Sequence, residues 1–301
     1  MQNKYLIIII VVLSIIAIVS SPTKKKTAYF NKEEIDVTIK DADSSEETTL
    51  NLEEYIVGVV AGEMPASFAE EALKAQAIAA RSYALSKINS ATTSYDLVTD
   101  ITNQVYITPE QMQEKWGSDY EYYYNRVKKA VEDTKNLVME YEGEIISAYY
   151  FAMSNGYTED VSLVFGENRD YLVSVDSTWD EGVKNFTTTT TFSKQDFCTK
   201  LNIDCTNIVI GDIVRSETNR VNTITINDQE FKGTTFRTLL GLRSTDFTID
   251  ISDDVKITTK GYGHGVGMSQ YGANAMAKNG SNYEEILHHY YKDVDIVEIN
   301  V

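Results

Sequence analysis

Between residues 5 and 19 every position is apolar except Ser14, and the run carries no polar face of the kind a helix packed in a soluble core requires. With its flanks it comes close to the roughly 20 residues that span a bilayer. Ser20 and Ser21 are followed at once by Pro22 and then by Lys24, Lys25 and Lys26, which favours a short anchor over residues 1–27, with a signal peptide as the other reading. Residues 28–50 are acidic and rich in Ser and Thr, and read as a linker with one strand at 35–39.

From Asn51 the pattern tightens. Leu52, Tyr55, Ile56, Val59 and Val60 recur at helical spacing, Asn51 and Glu54 suit a helix start, and Pro65 stops the run. Ser67 and Glu70 open a second helix that reaches about residue 87 through Ala69, Ala72, Ala75, Ala77, Ala79 and Ala80, small enough for other elements to pack closely. A third helix is predicted over 121–135, then a β-hairpin with strands 137–141 and 145–151 about Glu142 and Gly143. Strand patterns follow at 171–175, 187–192, 208–214, 221–226 and 247–257, and helix returns at 268–278 and 283–291. The expected fold is α+β: helices at both ends of the chain packed on a largely antiparallel sheet, with a substrate cleft.

Charge narrows the partners. The net charge is −18, and the 274 residues after Thr27 carry 23 basic and 45 acidic side chains, so a phosphate backbone would be repelled and nucleic acid is not an expected partner. Lys24 to Lys26, set against Lys4 and the amino terminus, would by the positive-inside rule leave the body in the cytoplasm.

The candidate chemistry begins with Glu63. Eleven positions after Leu52, it projects about 20° from it and so shares the stripe of Tyr55, Ile56, Val59 and Val60. Desolvation and the negative end of the helix dipole both disfavour the ionised form there. A carboxylic acid kept neutral near pH 7 can protonate a glycosidic oxygen. The plainer reading has Glu63 at the edge of the stripe, or bonded to a backbone amide.

Gln76 and Tyr83 share one face of the second helix, with Arg81 to one side; they suit a ligand or a packing margin. Gln104 and Tyr106 follow in a loop or strand. The block 261–272 alternates Gly261, Gly263, Gly265 and Gly267 with Tyr262, His264 and Val266, then enters a helix through Ser269 and Gln270. Such glycines let backbone approach another surface closely, and His264 either serves a ligand or locks a tight turn. His288 and His289 are adjacent and diverge on a helix, which argues against zinc. Cys198 and Cys205 fit a small disulfide loop or two free thiols.

The segments Glu54-Tyr55-Ile56-Val57-Gly58-Val59-Val60-Ala61-Gly62-Glu63-Met64-Pro65, Glu71-Ala72-Leu73-Lys74-Ala75-Gln76-Ala77 and Ala80-Arg81-Ser82-Tyr83 resemble the stage II sporulation protein D family. So do Ser154-Asn155-Gly156-Tyr157-Thr158-Glu159, the stretch from Gly263 to Tyr271, and Ile286-Leu287-His288-His289-Tyr290-Tyr291. The resemblance covers about residues 48–298 and makes 51–301 the catalytic domain.

It implies a membrane-anchored lytic transglycosylase of spore-forming bacteria. Such an enzyme cleaves peptide-stripped peptidoglycan strands to 1,6-anhydro-muramic ends during engulfment of the forespore. The resemblance places the body outside the cytoplasmic membrane, against the lysine count. It aligns the family's catalytic glutamate with Glu63, and leaves Gln76, Arg81, Tyr83, Gln104, Tyr106, His264, Ser269 and Gln270 as candidates for substrate binding. The implied partners are peptidoglycan glycan strands, a sporulation amidase and a membrane protein of the engulfment complex.

Some members bind zinc through histidine and cysteine in the segment matching residues 148–158, which here has neither, so no cofactor is expected. Because the family also includes amidase enhancers, a non-catalytic glycan-binding role is one alternative. A two-carboxylate muramidase using Asp100, Asp176 or Asp180 is another.

Overall fold

The computed structural model describes residues 34–88 and 91–299, so the anchor expected at 1–27 lies outside the described residues. No described helix is long and apolar enough to cross a membrane.

The chain is α+β, as the pattern predicts, but the strands form several small sheets rather than one. The expected linker, 28–50, carries two strands rather than one among its described residues. Strands β1 (Asp36–Lys40) and β2 (Glu47–Asn51) pair as an antiparallel hairpin, and Ile35, Val37 and Ile39 are buried in the main core. Asn51 then starts helix α1 (Leu52–Glu63), its side chain accepting from the Glu53 amide.

Helix α2 (Glu70–Ile88) is the axis of the molecule. From Ala72 to Leu85 every residue except Lys74 is buried, because the alanines let neighbours close in from all sides. Those neighbours include α1, helix α4 and strand β4 described below, and both C-terminal helices. Arg81 lies in the middle of this packing.

After the short strand β3 (Leu97–Val98), which pairs parallel to β1, comes a helix absent from the sequence reading, α3 (Pro109–Trp116). It has a full capping box, Thr108 with Gln111. Helix α4 (Tyr120–Asp133) and strand β4 (Leu137–Tyr141) fall where expected, but β5 is only Glu144–Ile145. The chain then leaves that hairpin to form β6 (Tyr150–Phe151), followed by the one-turn helix α5 (Val161–Phe165). Residues 171–175 begin in the turn that the Leu172 amide closes on Arg169 and then bond to Thr158 and Val161 outside any ladder, so the strand pattern there gives no strand.

A second core follows. Strands β7 (Thr187–Phe192), β8 (Ile210–Arg215), β9 (Val221–Ile226), β10 (Gln229–Lys232), β11 (Phe247–Ile251) and β12 (Val255–Lys260) make two antiparallel three-stranded sheets, β11-β12-β7 and β10-β9-β8. Helices α6 (Lys194–Leu201) and α7 (Gly233–Leu240) cover a cluster containing Phe197, Phe236 and Phe247, and Cys198 is bonded to Cys205. The predicted strand 247–257 is in fact a hairpin, since Ser252 to Asp254 turn the chain.

The chain returns to the first core through β13 (Met268–Ser269), parallel to β6, then α8 (Gln270–Lys278), α9 (Tyr283–Tyr290) and β14 (Asp295–Glu298), which pairs with β4.

Candidate active site

Glu63 is the last residue of α1, and the local sequence explains what lies on it. Gly58 and Gly62, one turn apart, leave a bare strip on the helix. A Cβ at Gly58 would stand 2.1 Å from the Tyr106 ring, and one at Gly62 would stand 2.5 Å from the Val105 carbonyl oxygen. The segment 104–107 therefore lies directly on the helix, with the Ile107 N–H donating to the Gly58 carbonyl at 3.3 Å. That contact brings the Val105 N–H to Glu63 Oε1 at 2.7 Å.

Glu63 is half-buried and its pKa is pushed up to about 7. Desolvation is the cause, and it outweighs the hydrogen bonds from Val105 and the Gln270 side chain and the charge of Lys115. Lys115 donates to the Ala61 carbonyl at 2.8 Å, so a cation sits at the end of α1 where unpaired carbonyls gather.

Gln270 couples the carboxyl to α2. Its Nε2 donates to Gln76 Oε1 at 3.3 Å, and both side chains are buried, while Gln76 Nε2 has no partner among the described residues. The phenols of Tyr55, Tyr83 and Tyr150 lie within the electrostatic reach of Glu63. Tyr106 stacks on Tyr55 with ring centres 5.7 Å apart. Beyond Tyr106 a groove of about 800 Å³ runs along the start of α1, between α3 and α4, past Val57, Met112, Tyr124 and Val131. Glu63 does not line that groove, so it is not a cleft around the acid.

The structure thus sets Gln76, Gln270 and Tyr83 near Glu63, turns Tyr106 toward the neighbouring groove, and commits four other candidates to structural bonds. Arg81 is fully buried. Its guanidinium forks onto Glu53 at 2.6 and 2.8 Å and donates to the Leu137 carbonyl at 3.0 Å, leaving no face for a ligand. Gln104 is buried and bonded to the Tyr55 and Tyr150 hydroxyls and the Ala80 carbonyl, so it ties three elements together. Ser269 caps α8 by accepting from Gly272 and donates to Asp180 at 2.7 Å.

His264 locks its turn. Nδ1 accepts from the Val266 N–H and Nε2 donates to the Tyr150 carbonyl, both at 3.0 Å. Burial, then the charges of Arg237 and Arg220, push its pKa down to about 3, so the ring is neutral. The surface that the alternating glycines approach is the protein's own. A Cβ at Gly267 would meet the Tyr149 carbonyl at 1.9 Å, and one at Gly265 would meet Arg220 at 2.6 Å.

Three further groups were missed or misjudged in the sequence. The Val105 amide and Lys115 had not been singled out, although the Gly58–Gly62 spacing and the Thr108–Gln111 capping box were the signals for them. Asp180, one of three proposed second acids, is fully buried and accepts from the Ser154 amide at 2.8 Å and from Ser269, so it is unsuited to activating water. Asp100 and Asp176 hold their own turns through Thr102 and Thr178.

In the segment 148–158 Phe151 and Met153 are buried, and no group of three or more His, Cys, Asp or Glu suited to a metal occurs among the described residues. These residues do not fit zinc.

An α+β protein with one desolvated carboxylic acid at a helix end, and phenols and carboxamides within its electrostatic reach, is equipped for proton transfer to a bound ligand. A family model described as Stage II sporulation protein matches residues 40–141. Stage II sporulation protein D of Bacillus amyloliquefaciens is 44% identical over 255 residues, which cover 82% of this chain and 74% of that protein. Stage II sporulation protein D of Bacillus subtilis strain 168 is 36% identical over 290 residues, 94% of this chain and 84% of that protein. The amidase enhancer of the same strain is 33% identical over 297 residues, 78% of this chain and 39% of that protein. The chain belongs to the stage II sporulation protein D family.

Proposed function

We propose that this protein is a lytic transglycosylase that cleaves the bond from N-acetylmuramic acid to N-acetylglucosamine in peptide-stripped peptidoglycan, with residues 51–301 as the catalytic domain. The observation that carries this reading is the Glu63 carboxyl, desolvated at the end of α1 and protonated up to about pH 7. Glu63 donates its proton to the glycosidic oxygen as the bond to C1 of the muramic residue breaks. The carboxylate left behind takes the proton of the muramic 6-hydroxyl, whose oxygen closes on C1 and gives the 1,6-anhydro end. One carboxyl acts twice and the nucleophile belongs to the substrate, so no second acid is required. Gln270, Tyr83 and Tyr106 are the side chains suited to orient sugar hydroxyl and N-acetyl groups, with the buried Gln76 positioning Gln270 from behind.

In this reading residues 1–27 anchor the protein and the body lies outside the cytoplasmic membrane. It works in engulfment beside an amidase that strips the strands and a membrane protein of the same complex. The likeness to an amidase enhancer supports a second reading, a glycan-binding protein that stimulates an amidase without cutting.

Mass spectrometry of products from purified peptide-free strands separates these. Wild-type protein is expected to release anhydro-muramic ends, and Glu63→Gln, which keeps the size and loses the proton, to slow this at least 10²-fold, in the range of general acid–base catalysis. Reducing ends in place of anhydro ends would favour a hydrolase, and no cleavage by either protein would favour the enhancer.

A further inference from the structure

Among the described residues Arg81, Arg169 and Arg215 each pair with an acid, whereas Arg126, Arg220, Arg237 and Arg243 have no carboxylate within salt-bridge distance in a protein of net charge −18. Arg126 is held by the Ala66 and Phe68 carbonyls, and Arg220 by Asn155 and Ser244. Of the other two, Arg243 stacks on an aromatic ring and Arg237 is bonded to the residue before Arg243. The Arg243 guanidinium lies 3.9 Å over the ring of Tyr262, its Nε buried without a partner. Arg237 donates its Nε to the Leu242 carbonyl at 3.2 Å and lies within the electrostatic reach of the same Tyr262. Burial holds Arg237 below its usual pKa, the mark of a cation that has lost water without gaining an anion. Arg220, buried behind the glycine turn, is faced by the carboxylates of Glu159 and Asp246, so the uncompensated charge of the corner is that of Arg237 and Arg243. Tyr262 itself is 44% exposed.

An aromatic row joins this corner to the acid. His264 follows Tyr262 by two residues, and its ring centre is 5.3 Å from that of Phe165, which is 44% exposed. Phe165 is 5.0 Å from Tyr149, and Tyr149 is 5.9 Å from Tyr83, whose phenol feels Glu63. Flat rings of this kind suit the apolar faces of pyranose sugars. A guanidinium stacked on a ring keeps its fork free for the two oxygens of a carboxylate.

We propose that Tyr262, Arg237 and Arg243 form a distal subsite for the lactyl carboxylate of a muramic residue, on a strand that runs from Glu63 past Tyr149 and Phe165. The inference rests on the reading of the protein as one that binds peptidoglycan glycan. A stem peptide turns that carboxylate into an amide and removes its charge, so the corner distinguishes stripped strands from peptide-bearing ones.

The test measures binding to the full chain in mild detergent, carrying Glu63→Gln so that strands persist. Three probes of equal length are compared: peptide-free muramic strands, the same strands with the lactyl carboxyl methylated, and uncharged N-acetylglucosamine oligomers. The free-acid strand is expected to bind about tenfold more tightly than the other two, in keeping with one charge-assisted hydrogen-bonded pair. Adding Arg237→Gln and Arg243→Gln should erase that preference and leave the affinity for uncharged oligomers unchanged.

Equal binding of free and methylated strands by the protein with both arginines in place overturns the subsite while leaving the glycan reading intact, and needs no further variant to fold. Absence of binding to all three overturns both. Tighter binding of a glycerol phosphate polymer than of the free-acid strand would assign the corner to phosphate and overturn the carboxylate.

Discussion

The position of one proton governs the behaviour of Glu63. Its pKa in the folded chain, about 7, lies above the ordinary 4.5, so the native state holds the proton where the unfolded chain has released it. The contribution to stability is full below pH 4.5 and is lost as the pH climbs through about 7. Glu63→Gln, neutral at every pH, should therefore match the wild type in urea denaturation at pH 4 and exceed it at pH 8 by about 1–3 kcal/mol. Equal stability at both values would mean that the carboxyl is not desolvated.

This residue was legible because its place in the apolar stripe follows from spacing alone. Arg81, Gln104 and His264 were legible only as polar residues on interesting faces. Their partners come from segments up to 114 residues away in sequence, and no local pattern shows that those partners already use their hydrogen bonds.

Sequence pattern located the long helices α1, α2 and α4, and also α8 and α9, which span only nine and eight residues. The helices α3, α6 and α7 span eight residues each, barely two turns, and offer few repeats for periodicity to separate them from loop, although α9 is no longer and was read as helix. Their caps were the better signal, since Thr108 and Ser193 each accept from an amide three residues on.

The contact between α1 and the segment 104–107 also shows where a general rule reverses. Gly→Ala inside a helix ordinarily stabilises by about 1 kcal/mol. At Gly62 the new methyl would stand 2.5 Å from the Val105 carbonyl, against backbone that cannot swing away as a side chain does. Gly62→Ala is expected to destabilise by about 1–3 kcal/mol in thermal unfolding, as overpacking does, and to weaken the Val105 bond to Glu63. A raised melting temperature would show that the segment does not lie on the helix.

Across the whole molecule, two cores share one chain, and the division was not visible in the sequence. The second core, inserted between residues 187 and 260, alternates apolar and polar residues much as any sheet does, and although the glycine block 261–267 follows its last strand, no Gly- or Pro-rich stretch marks its start. The junction is polar. Glu159 accepts from Ser216 at 2.6 Å, and Asn155 donates to Asp246 at 2.8 Å. Replacing Cys198 and Cys205 together by Ser should cost about 2–3 kcal/mol from the loop they close. Hydrogen exchange should locate the loss in the amides of 187–260 and leave those of α1 and α2 as they were. Equal loss in both cores would mean that they unfold as one unit.

The most direct test of the central claim is the titration of Glu63 itself, followed by the ¹³C chemical shift of its carboxyl in the intact protein and identified by its disappearance in Glu63→Gln. The structure predicts a midpoint near 7, set by desolvation at the end of α1. A midpoint near 4.5, the ordinary value for a glutamate, would leave an ionised carboxylate at neutral pH with no proton to give, and would contradict the account.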